Sequence, residues 1–167
     1  MQNVEIERKY IIEKPNLKLL SGMDGYTSSE IEQVYLDSPT GITHRIRRRT
    51  YSDREEYTET KKVRIDKSSS YEDERAITAE EYNVLLQKRA EGSIPLKKVR
   101  HTFKYSGQIF ELDFYPYWTH TCIMETELPT RDTVVDMPPF IRIVREVTGE
   151  REYSNASMSR KFPKEDE

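Results

Sequence analysis

Short stretches in which every second residue carries a charge of one sign constrain this chain more than any other feature. In an extended strand, residues i and i+2 share a face. Residues 4–10 place Val4, Ile6, Arg8 and Tyr10 on one face and Glu5, Glu7 and Lys9 on the other. Glu72 with Glu74, Glu111 with Asp113, and Glu125 with Glu127 repeat the acidic spacing. Arg45 and Arg47 flank Ile46, Lys62 and Arg64 flank Val63, and Lys98 and Arg100 flank Val99. Like charges on one face repel and gain nothing unless something of opposite sign compensates. Water can compensate, giving a sheet with one apolar and one solvated face. Solvated faces usually mix signs, however, and here each strand keeps mostly to one. The other reading is a closed sheet whose acidic and basic strands face each other across an interior, apolar faces turned outward.

Composition decides between order and disorder. Hydrophobic residues are only 35% and charged residues 34%, a balance that invites disorder. Yet aromatic residues reach 10%, and the apolar positions are periodic. The 27 basic residues nearly offset the 30 acidic ones, so the basic excess of a duplex binder is missing. Arg45 to Arg49 has no aromatic platform beside it, and no nucleic-acid partner is expected. Cys122 stands alone, which excludes an internal disulfide framework and fits a reducing compartment. The N-terminus is charged from residue 5, unlike a signal peptide, and no apolar run approaches transmembrane length. A cytoplasmic protein with no membrane partner is expected.

At 167 residues the chain suits one domain, read as residues 1–161, with 162–167 as a flexible tail. Gly, Pro and Ser clusters separate period-2 segments over residues 4–11, 31–36, 43–50, 57–66, 71–77, 97–105, 108–115 and 122–128. The predicted fold is α+β, mainly antiparallel. Thr78 and Glu81 form a capping box ahead of Tyr82, Leu85 and Leu86, which predicts a helix. Shorter helices are expected from Pro139 to Arg145, from Ser154 with Ser154 or Asn155 as N-cap, and within residues 15–21.

Clustered carboxylates without His or Cys suit hard divalent cations, and clustered Arg and Lys suit phosphate oxygens. A metal on one wall facing cations on another is what phosphoryl transfer needs. Competing chemistries are poorly marked. His44, His101 and His120 lack ligand spacing, and neither a P-loop nor a GxGxxG motif occurs.

The order of the charged pairs resembles that of the CYTH, or triphosphate tunnel metalloenzyme, superfamily. Glu5-Ile6-Glu7-Arg8-Lys9 matches its ExExK signature, followed by Gln33-Val34-Tyr35-Leu36, Arg45-Ile46-Arg47, Thr60-Lys61-Lys62 and Glu72-Asp73-Glu74. Then come Lys98-Val99-Arg100, Glu111-Leu112-Asp113, Glu125-Thr126-Glu127, Glu146-Val147-Thr148-Gly149 and Tyr153-Ser154-Asn155. The resemblance implies a closed eight-stranded β-barrel with helices packed outside. It implies metal ligation by Glu5, Glu7, Glu125 and Glu127, and phosphate binding by Lys9, Arg45, Arg47, Lys62, Lys98 and Arg100. Glu72 and Glu74 take the catalytic positions, and Glu111 and Asp113 those of a second metal or the water. It further implies Mg²⁺ or Mn²⁺ as cofactor and a small-molecule triphosphate as substrate, inorganic tripolyphosphate first. A class IV adenylate cyclase, a thiamine triphosphatase and a non-catalytic polyphosphate- or nucleotide-binding domain stand as alternatives. A homodimer is compatible with the sequence. Two positions depart from the pattern: Ser70 stands where an Arg is common, and Lys61 beside Lys62 leaves the basic residue of that strand ambiguous, with alternation favouring Lys62.

Overall fold

The computed structural model describes residues 3–166. Its strands are β1 (Asn3–Glu13), β2 (Thr27–Leu36), β3 (Ile42–Thr50), β4 (Glu55–Arg64), β5 (Ser69–Ala76), β6 (Leu96–Tyr105), β7 (Gln108–Phe114), β8 (Thr121–Glu127) and β9 (Ile143–Glu146). Helices α1 (Leu17–Ser21), α2 (Ala79–Leu86) and α3 (Asn155–Met158) are short, and a single 3-10 turn covers Arg151–Tyr153. Hydrogen bonding runs β5-β4-β3-β2-β6-β7-β8-β1, antiparallel throughout, and β1 closes back onto β5. Eight strands thus form a closed barrel, which removes the exposed edges that a charged, twisted sheet would otherwise leave.

Local sequence sets the connections. Ser106 and Gly107, with φ of 51° and 75°, make the two-residue turn joining β6 to β7. Positive φ at both positions matches the twist of the flanking strands, and glycine adopts it without a Cβ clash. At α2 the Thr78 hydroxyl accepts from the Glu81 amide, and the Glu81 carboxylate accepts from the Thr78 amide, at 3.0 and 3.2 Å. Ser154 caps α3 through its side chain.

The outward faces carry much of the apolar core. Tyr10, Ile12, Phe103, Phe110, Leu112, Cys122 and Met124 pack beneath α1 and the segment from Val135 to Ile141. Val34, Leu36 and Ile46 pack beneath α2 through Tyr82, Leu85 and Leu86. Burying such a side chain contributes about 1.5–3 kcal/mol, so the barrel is held largely from outside and its interior is left for charge.

Two expectations are corrected. Residues 139–145 do not form a helix; a turn at 139–140 leads into β9, which pairs with β1. The barrel explains this. On one side of β1, β5 reaches only Ile6, so the edge at Tyr10–Ile12 is left open, and the β-branched Ile143 and Val144 suit a strand there. The end of the chain, expected as a flexible tail, makes specific contacts as far as it is described. Phe162 packs on Tyr115, Tyr117 and Trp118, and the Trp118 indole donates to the Pro163 carbonyl at 3.0 Å. The Glu165 carboxylate accepts from the amides of Thr119, His120 and Thr121. Glu167 lies outside the described residues. None of the described helices is long and apolar enough to cross a membrane.

Candidate active site

The strand pairing brings the alternating charges onto one interior. Lys62 pairs in register with Glu72, and its Nζ lies 3.7 Å from Glu72 and 3.6 Å from Glu5. Lys61, one residue away, is exposed, so Lys62 is the inward cation, as alternation indicates. Lys9 stands opposite Glu125, at 3.3 Å. Arg100 stands opposite Asp113 and donates to both its oxygens, at 2.8 and 2.9 Å, while its Nη1 reaches Glu111 at 3.0 Å. Lys98 Nζ lies 2.7 Å from Asp113. Glu7 faces Glu127 and Glu111 faces Glu125 in register. Glu74 accepts from the Thr60 hydroxyl at 2.8 Å. Arg45 pairs with Tyr35 on one side and Thr60 on the other, and Arg47 donates twice to Gln33 Oε1.

The interior is therefore divided. Carboxylates come from β1, β5, β7 and β8, and cations from β3, β4 and β6, with Lys9 at the inner end of the β1 acidic run. Accessibility is graded as well. The side chains of Glu5, Lys62, Glu72 and Glu111 keep 15–28% exposure, whereas Lys98 and Asp113 keep 0–2%. At the closed end, Ile11, Leu96, Tyr115 and Ile123 pack with Trp118, Val147, Tyr153, Met158 and Phe162. Ile11, Leu96, Tyr115 and Ile123 have the same strand parity as Lys9, Lys98, Asp113 and Glu125. The charged chamber therefore rests on an apolar floor formed partly by the C-terminal segment.

The electrostatics show what this chamber lacks. Burial, a hydrogen bond with Glu72 and the neighbouring Glu7 push Glu5 up to about 10. Burial and Glu125 push Glu7 up, and burial with Glu111, Glu7 and Glu72 pushes Glu127 up. Glu72 is held below its ordinary value, since the Glu5 hydrogen bond, Arg45 and Lys62 outweigh its burial. Glu125, despite burial, is held at about 2, chiefly by Lys9. On the basic side, burial and the adjacent Arg45 and Arg100 push Arg47 down to about 9. Burial, with Arg100 and Arg47 against Asp113, pushes Lys98 down to about 7. Lys9, Arg45, Lys62 and Arg100, by contrast, are pushed up despite their burial, mainly by nearby acidic groups, so the uncompensated groups are Glu5, Glu7 and Glu127 on the acidic side and Arg47 and Lys98 on the basic side. One donor is also unmet: Arg45 Nε is buried and has no hydrogen-bond partner among the described residues.

Among the described residues, no three or more His, Cys, Asp or Glu side chains stand in an arrangement that could hold a metal ion. Lys62 occupies Glu5 and Glu72, and Lys9 occupies Glu125. The donor chemistry nevertheless fits a hard divalent cation. It is all oxygen, and the carboxylates pushed up, Glu5, Glu7 and Glu127, are those for which a cation would relieve repulsion.

A cavity of about 520 Å³ is lined by Glu30, Glu32, Arg48 and Lys97, whose positions alternate with the inward ones, together with Lys98 and Tyr115 of the chamber.

Several chamber residues had no site role assigned from sequence, although all but Tyr115 stand in the motifs quoted above: Gln33, Tyr35, Thr60, Tyr115 and Asn155. Gln33 Nε2 donates to Tyr35 Oη at 2.6 Å, and Asn155 Oδ1 accepts from Tyr115 Oη at 2.7 Å. Strand parity was the available signal, since Gln33 and Tyr35 alternate with Val34 and Leu36, which face outward.

Comparison with known proteins agrees with this architecture. The CYTH domain family matches over residues 3–157. No curated protein matches the chain significantly. Among solved structures, the inorganic triphosphatase NE1496 superposes with a TM-score of 0.60 at 27% identity, covering 95% of this chain and 96% of that one. The PH1819 protein from Pyrococcus horikoshii OT3 superposes at 0.59 with 22% identity, over 77% of this chain and 80% of that one. A putative adenylate cyclase from Bacillus halodurans, at 16% identity, shares the fold with a TM-score of 0.54, over 78% and 83%. The match spans nearly the whole barrel, and this chain belongs to the CYTH domain family.

Proposed function

We propose that this protein hydrolyses inorganic triphosphate with Mg²⁺ or Mn²⁺ as cofactor. The observation that carries the reading is the divided chamber, carboxylates on one arc and guanidinium and ammonium groups on the other, with Arg45 Nε buried and unpartnered among the described residues. The likeness to NE1496, itself described as an inorganic triphosphatase, supports the choice of substrate.

Glu5, Glu7, Glu125 and Glu127 would hold the metal, which when bound supplies positive charge against phosphate oxygens and acidifies water. Glu111 and Asp113 are the positions for a second ion or the water, although Asp113 is already engaged by Arg100 and Lys98. Arg45, Arg47, Lys62, Lys9, Lys98 and Arg100 neutralise the phosphate chain, and a guanidinium can grip two oxygens at once. Glu72 is held below its ordinary value, despite its burial, by the Glu5 hydrogen bond, Arg45 and Lys62, which favours the carboxylate form that can accept a proton. Glu74 is oriented by the Thr60 hydroxyl. Water oxygen bonds to the terminal phosphorus as the bridging P–O bond breaks, and the water proton passes to Glu72 or Glu74. Pyrophosphate leaves with the bonding electron pair, its charge met by the basic wall.

Phosphate release tests this directly, using tripolyphosphate, ATP, GTP and thiamine triphosphate, each with Mg²⁺, Mn²⁺ or Ca²⁺. The reading predicts metal-dependent orthophosphate release, fastest from tripolyphosphate. Cyclic AMP from ATP would replace hydrolysis by cyclisation. Binding without any turnover would make the chamber a sensor.

A further inference from the structure

Lys98 and Lys9 are held by the same short stretch of chain. An ammonium group has three N–H donors and no acceptor. Lys98 Nζ places one donor on Asp113 at 2.7 Å and a second on Asn155 Oδ1 at 3.3 Å. Lys9 Nζ places one on Glu125 at 3.3 Å and a second on the Tyr153 carbonyl at 3.0 Å. Each lysine thus has one carboxylate from a barrel strand, one oxygen from residues 153–155, and a third N–H with no further oxygen acceptor among the described residues, although the Lys98 ammonium also lies 5.8 Å from the centre of the Tyr115 ring. Two fixed acceptors set the rotation about Cε–Nζ, so they determine where the third N–H points.

The Asn155 oxygen is well suited to this. It also accepts from Tyr115 Oη at 2.7 Å, so both its neighbours are donors, which fixes the amide with oxygen rather than nitrogen toward them. Ser154, not Asn155, caps α3, and this leaves the Asn155 side chain free to reach the chamber. The segment is anchored from behind, since Tyr153 and Met158 are buried against Trp118 and Ile11.

We infer that Asn155, braced by Tyr115, is a positioning residue that aims the remaining N–H of Lys98 at a substrate oxygen, with the Tyr153 carbonyl doing the same for Lys9. The assignment of a phosphate oxygen as the target rests on the function proposed above. The geometric half, that Asn155 orients Lys98, does not.

Two measurements separate them. The first needs no substrate: heteronuclear NMR of the lysine side chains in the full chain, with Lys98 and Lys9 assigned through Lys98→Arg and Lys9→Arg. Asn155→Ala should displace the Lys98 Nζ resonance and leave that of Lys9 in place, because the acceptor for Lys9 is backbone. Tyr115→Phe, a milder change, should displace Lys98 in the same direction. An unmoved Lys98 signal, or equal movement of both lysines, overturns the inference.

The second measurement is steady-state hydrolysis of tripolyphosphate. Asn155→Ala should raise KM about tenfold, the size expected for losing a hydrogen bond to a charged group, with a smaller change in kcat. In a Lys98→Met background, Asn155→Ala should add nothing, because the lysine it positions is gone. Additive effects would give Asn155 a separate, merely structural role and overturn the inference. If the wild-type protein releases no phosphate, the proposed function fails while the resonance experiment still decides the positioning.

Discussion

Asp113→Asn is the sharpest perturbation of the chamber. Asp113 is 1% exposed and accepts from Arg100 Nε and Nη2 at 2.8 and 2.9 Å and from Lys98 Nζ at 2.7 Å. One carboxylate therefore compensates two buried cations, with Glu111 giving Arg100 a further contact at 3.0 Å. Replacing it by a neutral amide keeps the shape but leaves Lys98 and Arg100 undercompensated away from water. Breaking a buried ion pair in this way costs about 3–5 kcal/mol. For a chain of this size, about 1 kcal/mol shifts Tm by roughly 2–4 °C, so Tm should fall by roughly 6–20 °C. The assay is thermal unfolding by circular dichroism, without divalent metal or phosphate. The pH dependence adds a second check. Although burial opposes it, Arg100 and Lys98 hold the Asp113 carboxyl well below the usual carboxylate range. A depressed carboxylate contributes stability above its unfolded pKa, about 3.9, and loses it as pH falls through the folded value. The gap between wild type and variant should therefore persist at pH 5 and close only below about pH 4. A variant within about 1 kcal/mol of wild type at pH 6 would refute the view that this triad is dry and charged.

Glu5 works in the opposite direction. Its folded value near 10 means that ionising it is disfavoured in the fold, so without metal the wild type should lose stability as pH rises above about 4.5. Glu5→Gln should remove part of that slope and melt higher at pH 8, with no advantage at pH 4; equal melting at both pH values would contradict the crowding. The same variant, and Glu7→Gln, should abolish metal-dependent phosphate release while the protein stays folded, measured by phosphate assay beside circular dichroism. Thr78→Ala removes the hydroxyl end of the α2 capping box and should cost about 1 kcal/mol, seen as a Tm drop of roughly 2–4 °C. Truncation after Lys161 removes Phe162 from its aromatic neighbours and Glu165 from its three amides, and should lower Tm by several degrees; an unchanged Tm would show the docked tail to be idle.

The barrel was legible because strand parity and sign of charge coincide. Each predicted strand is present, and except in β2, whose inward face carries Gln33 and Tyr35, the inward face is the one bearing the paired charges, including Lys62 rather than Lys61. The α2 start was legible because a capping box is local. β9 was not, since what makes residues 143–146 a strand is the unpaired edge of β1 more than 120 positions earlier in the chain. The docked tail was hidden for the same reason: its partners are amides at 119–121 and a cluster of rings that only the fold assembles. Glu165 and Phe162 look like any charged terminus with one aromatic. Within the site, the Glu, Arg and Lys residues could be read from their alternation. Gln33 shares that alternation but carries no charge to mark it, and the roles of Tyr115 and Asn155 could not be read, because a lone polar residue announces its role only through the group it touches. Asn155 in particular had two readings from sequence, cap or not, and the capping by Ser154 is what released it.

The proposed chemistry requires metal and triphosphate to enter the charged chamber together. Diffraction from crystals soaked with Mn²⁺ and tripolyphosphate, recorded at the manganese edge, measures that position directly. An anomalous peak among Glu5, Glu7, Glu125 and Glu127, with phosphate density reaching Arg45 and Arg47, is the predicted result. Manganese and phosphate found only on the outer surface, with Lys62 still bridging Glu5 and Glu72 inside, would contradict it.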